Sequence, residues 1–521
     1  MGSVVDTPPK GGFKLVLQNP YLCGVASFST LGGLLFGYDQ GVISGVITME
    51  SFGARFPHVF SDSGFKGWFV STLLLAAWFG SLINGPIADR IGRKLSINVA
   101  VVIFVIGSAI QCAAVNIPML FAGRAIVGLA VGMMTMVVPL YISEVSIPEI
   151  RGGLVVTQQL SVTIGILISY WIDYGTNYIG GTRCAPDMPY TGGTSAKPTF
   201  DPYNDIPITG CNGQSEASWR LPLAIQIVPA VILGIGMVFF PESPRWLLMK
   251  ERDDDSLVAL SRLRRQSRDS PILQNEYLEV RASIMLENSF ARENFPNLSG
   301  VKLHVAQYVS LFTKWARFKR LFIGCAVMFF QQFIGCNAMI YYAPTIFGQL
   351  GMDGNTTSLL ATGVYGIVNC LATLPALFFI DKFGRRALLM AGATGPIGWV
   401  LPSEIFNLSI RSKAISITTS ATWMCNFIIG LVTPDMLETI TWGTYIFFAA
   451  FALIALIFTF FCIPETRGKT LEDMDLIFGD TSAYEEKERI KHIEADLRGT
   501  KLNDAEDLKP ADQHREIVDS V

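Results

Sequence analysis

Two kinds of residue in this chain could do chemistry: ionisable groups and carboxamides set inside long apolar segments. Asp39 lies in the first such segment and Arg124 in the fourth. A carboxylate in hydrocarbon is costly when ionised, so it is paired, protonated, or switching between the two, and Arg124 is its natural partner. Gln159, Gln331, Gln332, Asn337 and Asn369 place carboxamides in similar surroundings. An amide there needs either partners or a cavity. Each offers donors and an acceptor, which suits a neutral ligand bearing many hydroxyls. Packing of amides between helices is the competing use. Gln331, Gln332 and Asn337 share roughly one helix flank.

A second set of charges alternates in sign where apolar segments end: Asp89, Arg93, Glu144 and Arg151, then Asp381, Arg385, Glu404 and Arg411. Such charges can pair between helices when one side of a bundle is closed, and must separate when it opens. They would act as a latch. The plainer reading is that the basic members set topology and the acidic ones are solvated.

The elements that must position these groups are membrane helices. Half of the residues are hydrophobic, 16% are charged and the mean hydropathy is +0.41, well above an ordinary soluble domain. The apolar residues gather into runs of about 18 to 25, the length that crosses a hydrocarbon core. Ten spans are expected, near 21–46, 68–88, 95–115, 119–142, 154–174, 221–241, 321–347, 357–380, 413–434 and 443–463. Basic residues cluster in the short connections, which places those connections in the cytoplasm. The loop at about 175–218 is poor in Lys and Arg and is expected outside. It holds Cys184 and Cys211, either bonded as a staple or left as two free thiols. The other seven cysteines lie in apolar segments and read as small hydrophobes. Asn355-Thr356-Thr357, in another expected external loop, fits a glycosylation acceptor.

The region 246–318 is charged and amphipathic and reads as a cytoplasmic helical linker. It separates an N-terminal transmembrane half, 21–245, from a C-terminal half, 319–463, with cytoplasmic tails at 1–20 and 464–521. Internal repeats support this division. GPIADRIGRK (85–94) returns as FIDKFGRR (379–386), YISEVSIPEIRGG (141–153) as LPSEIFNLSIRSK (401–413), and PESPRWLL (241–248) as PETRGKTLE (464–472). No cleavable signal peptide is expected, and Asp6 stands where a myristoylation signal wants Ser or Thr. The net charge of -3 comes from loops and tail and implies no nucleic-acid partner. No nucleophile–base set, metal-ligand cluster or phosphate loop stands out, so neither an enzyme nor a cofactor is expected.

The combination GGLLFGYDQGVISG, DRIGRK, PESPRWLL, QQFIGCNAMIYYAP and PETRGKTLED resembles the sugar porter family of the major facilitator superfamily over about residues 20 to 475. The fungal hexose and monosaccharide transporters are the most similar group. The resemblance implies an all-α integral membrane bundle of two six-helix halves that carries a monosaccharide, a hexose first of all, by alternating access. It implies sugar contacts at Gln159, Gln331, Gln332, Asn337 and Asn369, and stacking beside the sugar at Trp399, with Trp423 and Tyr341 as further aromatic candidates. It implies the latch role for the alternating charges. Asp39, with Arg124, matches the proton-coupled members, so symport is expected over a static ion pair. A monomer in the plasma membrane, with both termini cytoplasmic, follows from the same resemblance. The alternatives are a sugar sensor that binds without transporting, an inactive truncated isoform, and a quinate or polyol carrier.

One stretch departs from that pattern. Between Arg386 and Pro402 stand fifteen residues, ALLMAGATGPIGWVL, where the family places a ninth span, an external loop and a tenth span. Fifteen residues reach about 23 Å as a helix, too short to cross. The second half is therefore expected to lack its ninth and most of its tenth span. A short re-entrant or interfacial helix is expected near 387–401, leaving ten complete spans and a hole in the packing that could keep Trp399 from the site.

Overall fold

The protein's structure, a computed structural model, describes residues 20–147, 151–194, 197–207, 210–296, 298, 300–352, 355–392, 398–399, 401, 405–406 and 411–466, with scattered positions between 474 and 499. Ten long helices form the bundle among these residues: α1 (Pro20–Val46), α2 (Ser63–Ile91), α3 (Arg93–Cys112), α4 (Ile117–Val145), α5 (Arg151–Thr176), α6 (Ala217–Phe239), α7 (Trp315–Gln349), α8 (Asn355–Phe383), α9 (Arg411–Thr439) and α10 (Gly443–Cys462). Nine of them, all but α5, carry an uninterrupted window apolar enough to cross a membrane. Each of the ten overlaps an expected span. Short amphipathic helices, Pro244–Met249, Asp253–Arg264, Pro271–Asn294 and Gly300–Thr313, occupy the region between α6 and α7.

Helix ends are set locally. Asp62 accepts the Phe65 N–H at 2.8 Å to cap α2, and Asn116 accepts the Met119 N–H at 2.9 Å to cap α4, each satisfying a donor that the helix cannot. The turn from α2 to α3 passes through Gly92 at φ +98°, and the repeated turn after α8 passes through Gly384 at φ +85°. Only glycine adopts such values at little cost, so the D-x-x-G-R repeat has a backbone reason. Helices α1 and α5 approach so closely that a Cβ on Gly37 would lie 1.9 Å from the Val162 carbonyl oxygen.

The main core runs through the first half and on into Tyr341, Tyr342, Trp423 and Leu437 of α7 and α9. A smaller cluster joins Leu321, Ile323 and Val327 of α7 to Leu401, Ile405 and Phe406. The latter three belong to the short segment that precedes α9.

Described contacts between the two halves concentrate toward the end that carries the 177–216 loop, here called the loop end; the opposite end is the basic end. Ser63 donates to Asp435 at 2.6 Å, and the Tyr170 hydroxyl donates to the Ile340 carbonyl at 2.8 Å. A Cβ on Gly67 would meet the Leu431 carbonyl at 2.3 Å. Midway down, the Trp78 indole donates to Ser420 at 2.6 Å. The bundle is thus sealed at its loop end.

Over that end lies a cap. Cys184 and Cys211 are joined by a disulfide, so the bonded reading is the one the structure shows. A short hairpin, β1 (Gly192–Thr194) and β2 (Lys197–Thr199), extends from it. Glu50 accepts the Cys184 N–H at 2.7 Å and the Tyr190 hydroxyl, while the Arg183 guanidinium lies 4.0 Å from the Tyr190 ring centroid.

Candidate functional site

The charged pair anticipated between α1 and α4 is present. Arg124 Nη1 lies 3.1 Å from Asp39 Oδ2 and 3.3 Å from Oδ1, with both side chains excluded from solvent. The guanidinium also faces the Phe69 ring at 5.5 Å. Two charges taken out of water together repay their desolvation only when well paired, so removing one partner is far more costly than removing both.

Next to Asp39 on α1 stands Gln40, which the sequence reading passed over. Its Nε2 donates to the Tyr341 hydroxyl of α7 at 2.7 Å, and Asn426 Nδ2 of α9 donates to the same oxygen at 3.1 Å. Gln40, Tyr341 and Asn426 are 3%, 1% and 2% exposed. This bridge ties the ion-pair helix of one half to two helices of the other. The amide-in-a-span criterion that selected Gln159 would have selected Gln40 and Asn426 too, while cross-half proximity has no signature in one sequence. Trp423 packs edge-on against Phe36 of α1, centroids 5.3 Å apart, also across the halves.

Helix α7 is broken at Gly335, φ +90°, between Phe333 and Cys336. The break lets Asn337 Nδ2 donate back to Gln332 Oε1. Gln331 and Gln332 are buried, and Asn337 is half-buried. Gln159 on α5 and Asn369 on α8 are half-buried, and neither side chain has a hydrogen bond among the described residues. Trp399 is half-buried, and its neighbour Gly398 abuts Gln331: a Cβ there would lie 3.3 Å from Gln331 Nε2. The short segment at Gly398 thus lies against Gln331 of α7.

At the basic end, Arg93 pairs with Glu144 through Nε and Nη2 at 2.9 and 3.0 Å, and with Asp89 at 3.2 Å. Arg93 and Glu144 are buried deeply enough for the fork-to-carboxylate geometry to matter. Of the other expected latch members, the Arg151 and Asp381 side chains and Glu404 lie outside the described residues. Arg411 Nε donates to the Phe406 carbonyl at 3.2 Å. The structure also shows residues that the repeats contained without a role. Glu242 accepts the Arg93 and Lys94 N–H groups at 3.1 Å each, and Glu465 accepts the Arg385 and Arg386 N–H groups at 2.9 and 3.2 Å. Each carboxylate closes the helix N-terminus after the glycine turn of its own half. Burial pushes the Glu242 carboxyl above the usual range, against the backbone donors and Arg93 that pull it down.

Two pseudo-repeated halves, a sealed seam and a polar centre define a membrane carrier. The pattern of the family described as "Sugar (and other) transporter" matches residues 25–396 and 393–478. A glucose transporter of Aspergillus flavus is 31% identical, the match covering 93% of this chain and 95% of that one. A low-affinity glucose transporter of Saccharomyces cerevisiae is 30% identical, with 91% and 85% covered. Among solved structures, the proton:xylose symporter XylE of E. coli superposes with a TM-score of 0.64 at 26% identity, covering 88% of this chain and 99% of that one. The chain belongs to the sugar transporter family of the major facilitator superfamily. It is a multi-pass membrane transporter and not an enzyme.

Proposed function

We propose that the chain carries a monosaccharide, a hexose, across the plasma membrane by alternating access, driven by a proton taken at Asp39. The observation that carries this reading is the adjacency of two linkages on α1: the buried Asp39–Arg124 pair and the Gln40–Tyr341–Asn426 bridge between halves. A proton on Asp39 cancels the carboxylate charge and releases Arg124. The resulting shift of α1 reaches α7 through Gln40 and Tyr341, and α7 carries Gln331, Gln332 and Asn337. These amides, with Gln159 and Asn369, exchange hydrogen bonds with sugar hydroxyls, and Trp399 offers an apolar face. In this reading the loop end faces outside, the basic end and both termini face the cytoplasm, and the monomer is the working unit. The two glucose-transporting relatives and the proton-coupled neighbour support substrate and coupling.

The second half is proposed to lack its ninth and most of its tenth span. The family pattern matches in two stretches that meet at 393–396. Arg385–Met390 has 6 residues where its counterpart α3 has 20. Of the short helix expected near 387–401, residues 393–397 and 400 lie outside the described ones.

The test is uptake of labelled glucose in yeast lacking its own hexose transporters, with and without a protonophore, for this chain and Asp39→Asn. The proposal expects uptake abolished by either change, with excess quinate or polyol failing to compete. Uptake that survives both would reduce Asp39–Arg124 to a static pair, and none for any sugar despite normal surface levels would overturn transport.

A further inference from the structure

Asp39 is not the only carboxylate buried at the packing surface of α1. Asp173, near the loop end of α5, is fully excluded from solvent, and neither of its oxygens has a hydrogen-bond partner among the described residues. It lies against α1 at Gly45, where an added Cβ would sit 2.5 Å from Asp173 Oδ2. The Gly45 amide faces it without hydrogen-bonding geometry. The ionisable groups that face it are Tyr38 on α1 and Tyr170 one turn below on its own helix. Both phenols spend their protons elsewhere, Tyr38 on the Pro222 carbonyl at 2.9 Å and Tyr170 on the Ile340 carbonyl at 2.8 Å. Among the described residues, no ionisable side chain of α4, α6 or α8 reaches Asp173, and Asp173 makes no ion pair.

An ionised carboxylate with no cation and no well-formed hydrogen bond is far more costly in such a place than a neutral carboxylic acid. The group also sits beside the seam and beneath the cap. Tyr170 belongs to the seam: besides its bond to α7, its ring lies 2.9 Å from where a Cβ on Gly366 of α8 would be. Above Asp173 sits the cap, anchored by Gln214, whose Nε2 donates to the Asn177 carbonyl at 2.9 Å and whose Oε1 accepts the Ser51 N–H at 2.9 Å.

We propose that Asp173 is a second proton-binding site, loaded from water at the loop end and carried protonated into the sealed state. The step is binding alone: the carboxylate takes a proton from hydronium, and the charge disappears before the seam closes over it. Sealing is then conditional on the proton. Asp39 differs because Arg124 accompanies it, so the two carboxylates answer to different events.

The site rests on the transport reading only for the uptake part of its test. The first measurement is the infrared spectrum of the full chain in liposomes at neutral pH. The proposal expects a difference spectrum, unmodified chain minus Asp173→Asn or minus the apolar isostere Asp173→Leu, that shows the carbonyl stretch of one protonated carboxylic acid. The second is initial uptake against external pH at constant proton-motive force. On the alkaline side the unmodified chain carries two proton dependences, at Asp39 and at Asp173, and Asp173→Asn should flatten the limb by about tenfold per pH unit, leaving only the dependence set by Asp39. A difference spectrum without that band for both variants, or an unchanged alkaline limb in Asp173→Asn, overturns the proposal. So does failure of both neutral variants to reach the membrane, since a residue held neutral should tolerate them. If no sugar is transported at all, the infrared result still decides the proton site.

Discussion

Removing one oxygen atom should loosen the seam. Tyr341→Phe keeps the ring and deletes the hydroxyl that receives the Gln40 and Asn426 amides. All three side chains are buried, so the two amides lose a partner that water cannot replace while the halves are together. An orphaned buried donor costs about 1–3 kcal/mol. In the opened state water solvates both amides, so the cost falls on the sealed state alone. A shift of that size changes the ratio of opened to sealed molecules by about 5- to 150-fold. The readout is a cysteine placed at Gly64, where the added Cβ would lie 3.6 Å from Asp435 of the other half. Its reaction with a membrane-impermeant maleimide reports opening, against the background from Cys336 and Cys462. Tyr341→Phe should speed labelling within that range. An unchanged rate at equal surface level would refute the bridge as a determinant of closure.

Breaking the buried ion pair from one side, as in Arg124→Ala, should destabilise the folded chain by about 3–5 kcal/mol. The double variant Asp39→Asn with Arg124→Gln should recover most of that, both judged by thermal unfolding in detergent. Cys184→Ser opens a disulfide spanning 27 residues and should cost the cap about 3.5 kcal/mol by loop entropy; partial proteolysis of the 184–211 loop is the measure. Glu50 gives the cap a pH dependence whose sign follows from burial, which holds its carboxyl above the usual range despite the Tyr190 and Cys184 donors. The folded cap binds this proton more tightly than the unfolded one does, so the stability it contributes is full below the ordinary glutamic acid value. It is lost as pH rises through the raised one. Amide exchange in the loop, corrected for its intrinsic pH dependence, should therefore quicken on that rise, and Glu50→Gln should abolish the effect.

The spans were legible because length and apolarity are properties of the sequence alone. The charge pairs were legible where burial left one sensible partner, as for Asp39 and Arg124. What could not be read was position across the seam. Gln40 and Asn426 are 386 places apart in the chain, and only the packed bundle brings both to Tyr341. The break at Gly335 was hidden for a related reason: a glycine in an apolar run reads as tolerated until its backbone angle is seen. Glu242 and Glu465 stood in repeats already recognised, but their partners are backbone amides, which carry no residue-type signal.

Those two carboxylates have a further consequence. Each fastens a turn to a helix of its own half, so neither fastening has to be undone when the halves part. The molecule then behaves as two stiff plates meeting along one joint, and evolutionary drift should be unevenly tolerated. Substitutions on the outward surfaces of the plates would be nearly free, while changes along the joint would be paired or purged.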